Sequence, residues 1–187
     1  MSKIKDKNIK NIPKVLSEIE IYKRVCEKLV QINTRPRRKL IKFFQNYEGP
    51  FKDEILKNFE IASNQQLPLC QDTGIVEFFV WKGYNVIIEK PINEILNKAV
   101  KDTYTKMGFR NSVVKDPLLT RQNTLDNTPS IIHIFEIEEP ILDIWIIAKG
   151  GGSENLSALY MLQPSQGYEG QNGMKDKIIE HVKNNAR

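Results

Sequence analysis

The densest grouping of reactive side chains in the chain is Pro68-Leu69-Cys70-Gln71-Asp72-Thr73-Gly74. Four consecutive residues supply a thiol, an amide, a carboxylate and a hydroxyl, and the glycine after them lets the backbone turn sharply. A thiolate binds soft metals or acts as a nucleophile, and a neighbouring carboxylate can move protons or hold a water. A cysteine ahead of a polar turn also reads as an inert small hydrophobe, and the segment alone leaves both readings open. A second grouping is Ala148-Lys149-Gly150-Gly151-Gly152-Ser153-Glu154-Asn155. Three glycines free the backbone to present N–H groups, and a helix start just after them favours an anion. A plain tight turn would use the same residues. It is not a Walker loop, because Lys149 precedes the glycines, and it is not GxGxxG, because Asn155 fills the third glycine position. Between the two lies Gly108-Phe109-Arg110-Asn111-Ser112-Val113. Arg110 can fork onto a carboxylate there, or stand as an ordinary surface arginine. His133, with no second histidine near it, reads as a satisfied sheet residue.

These groups need elements to hold them. Residues 1–12 read as a loose polar arm ahead of one domain over 13–187. From Pro13, the residues Val15, Ile19, Tyr22, Cys26, Leu29 and Val30 recur at helical spacing, with Ser17 and Glu20 as a capping box. Arg37 to Asn46 and Asp53 to Ser63 read as two further helices, the second turning Ile55, Leu56, Phe59 and Ile61 inward. Gly74 to Trp81 is β-branched and aromatic, and with Tyr84 to Glu89 after Lys82-Gly83 it predicts a hairpin. Pro91 opens a helix through Thr105 that buries Ile92, Ile95, Leu96, Ala99 and Val100. Asn111 to Asn127, with Pro117, lacks a period and reads as an extended loop. Ile131 to Glu138 and Ile141 to Ala148 read as strands joined at Glu139-Pro140. Leu156 to Leu162 resembles a short helix. Met174 to Lys183 is a last helix, with Met174, Ile178, Ile179 and Val182 on an apolar stripe that calls for cover by another segment or subunit. The class is α+β, N-terminal helices packed with a small, mainly antiparallel sheet. Cys70 precedes the first main strand and the glycines follow the last, so adjacent pairing would bring them, with Arg110, to one concave site.

Composition bounds the function. A chain of 187 residues with 40% hydrophobic and 27% charged residues of mixed sign can fold around one core. Two cysteines exclude a disulfide-rich scaffold and a four-cysteine zinc site. The longest apolar runs fall far short of the ~20 residues of a membrane span. The polar start MSKIKDKNIK has no apolar signal core, which reads as cytoplasmic. The net charge of +5 concentrates at Lys3 to Lys14 and Arg35 to Lys39. The second run holds no aromatic residue and lies in no helix-turn-helix or RNA-binding signature, so nucleic acid is not the expected partner.

Taken together, LPLCQDTG, RNSVVKDPLLTRQNTLDNTP and AKGGGSENLSALYMLQPSQGYEG, in this order and spacing, resemble the α-type, N-terminal domain of the class I fumarate hydratase and L-tartrate dehydratase family. The resemblance runs from about Val15 to the C-terminus. It implies an oxygen-sensitive [4Fe-4S] hydro-lyase that adds or removes water on a small dicarboxylate, fumarate/malate or tartrate. Three cysteine thiolates hold such a cluster and leave one iron open as a Lewis acid. On this resemblance Cys70 matches the first cluster ligand. Gln71 and Asp72 match catalytic residues beside the substrate, with Asp72 near the departing or entering water. Arg110 matches a carboxylate-binding arginine, and Gly150, Gly151 and Gly152 match the loop that closes around a substrate carboxylate. The family's second and third ligand cysteines lie beyond the final helix, past Arg187, and Cys26 sits on a core stripe. The expectation is therefore part of an iron–sulfur hydro-lyase, inactive alone and completed by further segments or a second subunit as a dimer or heteromer. The alternative is a degenerate relative or binding module that keeps the carboxylate pocket.

Overall fold

The structure, a computed structural model, describes residues 14–152, 157–169 and 172–185. Two compact units divide the chain, one up to Lys149 and one from Gly150. The polar arm and Pro13 lie outside the described residues, as do 153–156, where the short helix was expected to begin. In chain order the first unit contains β1 (Lys14–Leu16), α1 (Glu18–Thr34), α2 (Arg38–Gln45), α3 (Lys52–Gln65), β2 (Thr73–Gly83), β3 (Val86–Ile88), α4 (Ile92–Met107), β4 (Ile131–Ile137) and β5 (Leu142–Gly150). The last residue of β5 opens the second unit, which holds α5 (Met174–Asn185). The class is α+β, as expected.

Helix α1 starts later than Pro13. Ser17 is its N-cap, with Oγ accepting from the Ile19 N–H at 3.3 Å. The expected capping box does not close: Glu20 faces Arg24, and the Glu18 N–H donates to Glu89 Oε2 at 2.9 Å. The residues ahead of the cap form β1, which pairs parallel with β3. The buried stripe is Ile21, Val25 and Leu29, a strict four-residue spacing, while Ile19 is 57% exposed. Helix α4 buries all five residues expected of it, together with Tyr104. On α3 the inward residue is Ala62, and Ile61 faces out. An edge-on contact of Phe59 with Phe44 of α2, at 5.7 Å between centroids, sets this roll, since Phe59 and Ala62 share a helix face.

The expected hairpin does not form. β2 is the centre of a three-stranded sheet ordered β4-β2-β5, and both its edges are occupied, so β3 pairs elsewhere. The chain leaves β2, passes through α4 and returns as β4 parallel to β2, with Glu77 opposite Ile131 and Gly83 opposite Ile137. A crossover helix is what a parallel pair requires. β5 runs the other way: Gly83 N–H donates to Ile141 O at 2.9 Å, while Glu77 pairs with Lys149 at the far end. The sheets are thus not mainly antiparallel, because β1–β3 and β2–β4 are both parallel. β4 and β5, joined by a short turn, flank β2 on opposite sides. The most buried strand takes the centre: Val76, Phe78 and Val80 of β2 are fully buried against α1 and α4.

In the second unit, Ser157–Leu162 form no helix, contrary to expectation. α5 extends two residues past Lys183, and Met174, Ile178, Ile179 and Val182 are all exposed on it. No helix among the described residues is long and apolar enough to cross a membrane.

Candidate active site

The Cys70 loop is pinned from below. α3 ends at Gln66 in the left-handed conformation (φ 54°), and the chain then crosses the end of α1. Both backbone groups of Leu69 are fixed there: its N–H donates to Asn33 O at 2.8 Å, and its carbonyl accepts from Asn58 Nδ2 at 3.0 Å. Asn33 is itself buried and anchored to Leu29 O at 2.8 Å. The Thr73 N–H then closes a turn on Cys70 O at 3.3 Å, putting Gln71 and Asp72 at the turn's tip, exposed, with Cys70 exposed beside them. β2 begins at once, so the loop rests on the central strand.

Arg110 arrives from the other side. Gly108 caps α4 in the left-handed conformation (φ 65°), and the buried Phe109 ring packs edge-on to Tyr104 at 5.4 Å, which leaves Arg110 pointing out. The loop after it is stitched by asparagines. Asn127 Oδ1 accepts from the Ser112 N–H at 2.8 Å, Asn111 Nδ2 donates to Leu125 O at 3.1 Å, and Asn123 Nδ2 donates to Asn111 O at 2.9 Å. Sequence reasoning missed these supports, although all three asparagines lie within the segment it had singled out.

The two loops meet. Arg110 Nη1 donates to Asp72 Oδ1 at 2.6 Å, with both side chains about half exposed. Gly74 makes the approach possible: a Cβ there would strike Ser112 Oγ and lie 2.9 Å from Arg110 O. Cys70, Gln71, Asp72 and Arg110 thus stand on neighbouring loops. Gly150, Gly151 and Gly152 stand where the first unit passes into the second. A Cβ on Gly151 or Gly152 would meet nothing within 4 Å, so the space beside this backbone is open.

Lys149, just ahead of the glycines, is tied to the sheet. Its Nζ lies 3.1 Å from Glu77 Oε2, while His133 Nε2 lies 2.9 Å from Glu77 Oε1. His133, and then Lys149, hold the Glu77 carboxyl below the usual carboxylate range, against the opposing pull of burial. His133 is a bonded sheet residue as expected. Its carboxylate partner carried no signal in the sequence beyond a charge at an otherwise apolar strand position.

The thiols are few. Cys26 is half-buried against the core, with Sγ 3.9 Å from Ala99 O, so Cys70 is the exposed one. Among the described residues no three His, Cys, Asp or Glu side chains gather to hold a metal ion. This donor set does not fit a whole [4Fe-4S] cluster, which takes a set of cysteines. It fits a single corner of one.

The fumarate hydratase (Fumerase) family model matches residues 26–187, and the chain belongs to this family. It is 39% identical over 138 residues to a Methanocaldococcus jannaschii protein provisionally named L(+)-tartrate dehydratase subunit alpha, a match covering 70% of this chain and 46% of that protein. It is 34% identical over 108 residues to the anaerobic class I fumarate hydratase of Escherichia coli K12, covering 57% of this chain and 20% of the relative. It is 30% identical over 115 residues to the L(+)-tartrate dehydratase subunit alpha of the same strain, covering 60% and 38%. The chain therefore spans less than half the length of these relatives.

Proposed function

We propose that this chain is the dicarboxylate-binding part of an iron–sulfur hydro-lyase acting on fumarate/malate or tartrate. The observation that supports this best is the ion pair of Asp72 with Arg110 across two loops fitted together at Gly74. A planar guanidinium whose resident partner is a half-exposed carboxylate, held by one nitrogen, can exchange that partner for a substrate carboxylate and grip it with two. Asp72, freed by the exchange, is then at hand to accept or return a proton of the water being added or removed. Gln71 beside it offers an amide donor and acceptor to orient the substrate hydroxyl, and the resemblance of the sequence assigns Gly150, Gly151 and Gly152 to a second carboxylate. Cys70 supplies one thiolate of the cluster, with the remaining ligands coming from other segments or a second subunit. The names of two relatives as alpha subunits favour such a partner. The reading includes no activity for this chain alone and a cytoplasmic location.

The test is made on the complete enzyme, assayed for fumarate hydration and tartrate dehydration. Arg110→Ala should lower kcat/KM at least about 100-fold, with Arg110→Lys restoring part of the loss because it keeps charge without the fork. Unchanged kcat/KM in Arg110→Ala would remove the arginine from the site and the reading with it.

A further inference from the structure

Helices α1 and α4 are of nearly equal length, 17 and 16 residues, and lie side by side in one direction. Glu18 at the start of α1 pairs with Lys90 just ahead of α4 at 2.8 Å, and farther along the Tyr22 hydroxyl donates to Asp102 Oδ2 at 2.7 Å. The two helices therefore end together, and each end holds one half of the candidate site. At the end of α1, Asn33 O accepts from the N–H of Leu69, the neighbour of Cys70, at 2.8 Å. At the end of α4, Tyr104 O accepts from the N–H of Phe109, the neighbour of Arg110, at 3.1 Å, and the Tyr104 ring packs edge-on to that of Phe109.

Asn33 and Tyr104 are both buried, Tyr104 completely. The Asn33 amide nitrogen is in use, donating to Leu29 O at 2.8 Å. Among the described residues, however, neither Asn33 Oδ1 nor the Tyr104 hydroxyl has a hydrogen-bond partner. One is an acceptor and the other a donor, both shut away from solvent where the helix ends meet. Burial pushes the Tyr104 hydroxyl up in pKa, and the group that opposes this is the Asn33 side chain, so the two face each other without completing a bond. Buried polar groups left unpaired cost free energy, and this pair recovers that cost by bonding to each other.

We propose that Tyr104 is a positioning residue of the site: a dicarboxylate held between the Cys70 and Arg110 loops draws the two helix ends together, and the Tyr104 hydroxyl then donates to Asn33 Oδ1. This rests on the function proposed above. The bond belongs to the occupied arrangement alone, so it contributes to binding through the difference between the open and closed states. It also makes one unit of the two loops. Asn33 and Tyr104 each hold the residue next to a site residue, so joining them fixes the spacing from Cys70 to Arg110.

The test uses the complete enzyme, with fumarate and with tartrate, beside the Arg110→Ala variant. Tyr104→Phe removes the hydroxyl and keeps the ring against Phe109. It should raise KM about five- to tenfold and leave kcat within about twofold, because the bond serves bound substrate and transition state alike. Without substrate its melting temperature should equal or exceed that of the wild type, since an unpaired buried hydroxyl has gone. Asn33→Ala, which removes the acceptor, should raise KM too, and adding Tyr104→Phe to it should change KM little further. A lower melting temperature with unchanged KM in Tyr104→Phe would make the hydroxyl merely structural and overturn the proposal. Effects of the two variants that multiply would overturn it as well. If Arg110→Ala is impaired while Tyr104→Phe matches the wild type, the proposed function stands and this inference falls; if Arg110→Ala is also unchanged, both fall.

Discussion

At Gly74 a single hydrogen atom decides whether the Cys70 loop and the Arg110 loop can touch. A methyl there meets both the Ser112 hydroxyl and the Arg110 carbonyl, and the carbonyl is backbone that cannot swing aside. Gly74→Ala should cost about 1–3 kcal/mol of stability, as overpacking of a close contact does, measured by urea unfolding. Pairing it with Ser112→Gly removes the first clash and leaves the second, so the recovery should be partial. A neutral Gly74→Ala would mean the loops are not fitted as described. Glu77 makes a different statement, about pH. Its folded-state affinity for a proton is depressed, first by His133, so its stabilisation is present above the ordinary carboxylate range and fades as pH falls through the folded value. Glu77→Gln should therefore be less stable than the wild type at neutral pH, with the gap closing as pH falls below the ordinary carboxylate range. A gap that does not change with pH would leave Glu77 without an electrostatic role.

Among the elements, what the sequence revealed follows from how local the cause is. The buried face of α4 is legible because Ile92, Ile95, Leu96, Ala99 and Val100 alone satisfy a 3.6-residue period between a proline start and a glycine stop. Leu96→Ala, at a fully buried position in the core, should cost about 2–5 kcal/mol, while Ile19→Ala on the exposed side of α1 should stay within about 0.5 kcal/mol. Equal losses in urea unfolding would move the core away from α4. The pairing of β2 was not legible. A short gap at Lys82-Gly83 suits a hairpin, but that choice is settled far away in sequence, by α4 returning the chain as β4 and by β5 taking the remaining edge. Lys14–Leu16 became a strand for the same reason, since β3 needed a partner. On α1 the sequence offers two overlapping apolar stripes, and only packing against α4 selects Ile21, Val25 and Leu29. The candidate site was legible by residue type, because Cys70, Gln71, Asp72 and Arg110 carry their chemistry in the sequence. Its supports, Asn33, Asn58 and Asn127, were not, because the groups they hold, at Leu69 and Ser112, are backbone groups that any residue presents.

At the largest scale, the described residues present one exposed thiol, Cys70, at a site whose proposed chemistry needs three thiolates. Cys70 stands on a loop fixed at both groups of Leu69, so it cannot travel to a second cysteine of its own chain, and Cys26 is turned into the core beneath α4. A cluster assembled on one such thiolate would keep most of its irons on exchangeable ligands and would be lost to solvent. The chain purified alone, reconstituted anaerobically with iron and sulfide and then desalted, should retain well under one cluster per chain by iron analysis. It should also lack the visible absorbance of a cluster and show no hydration of fumarate. Adding a partner that carries the other two thiolates should produce all three signals together, and Cys70→Ser should abolish them without changing the circular dichroism. Stoichiometric cluster in the isolated chain would show that two copies can share one, and the site would then have to be rebuilt around a pair of Cys70 loops.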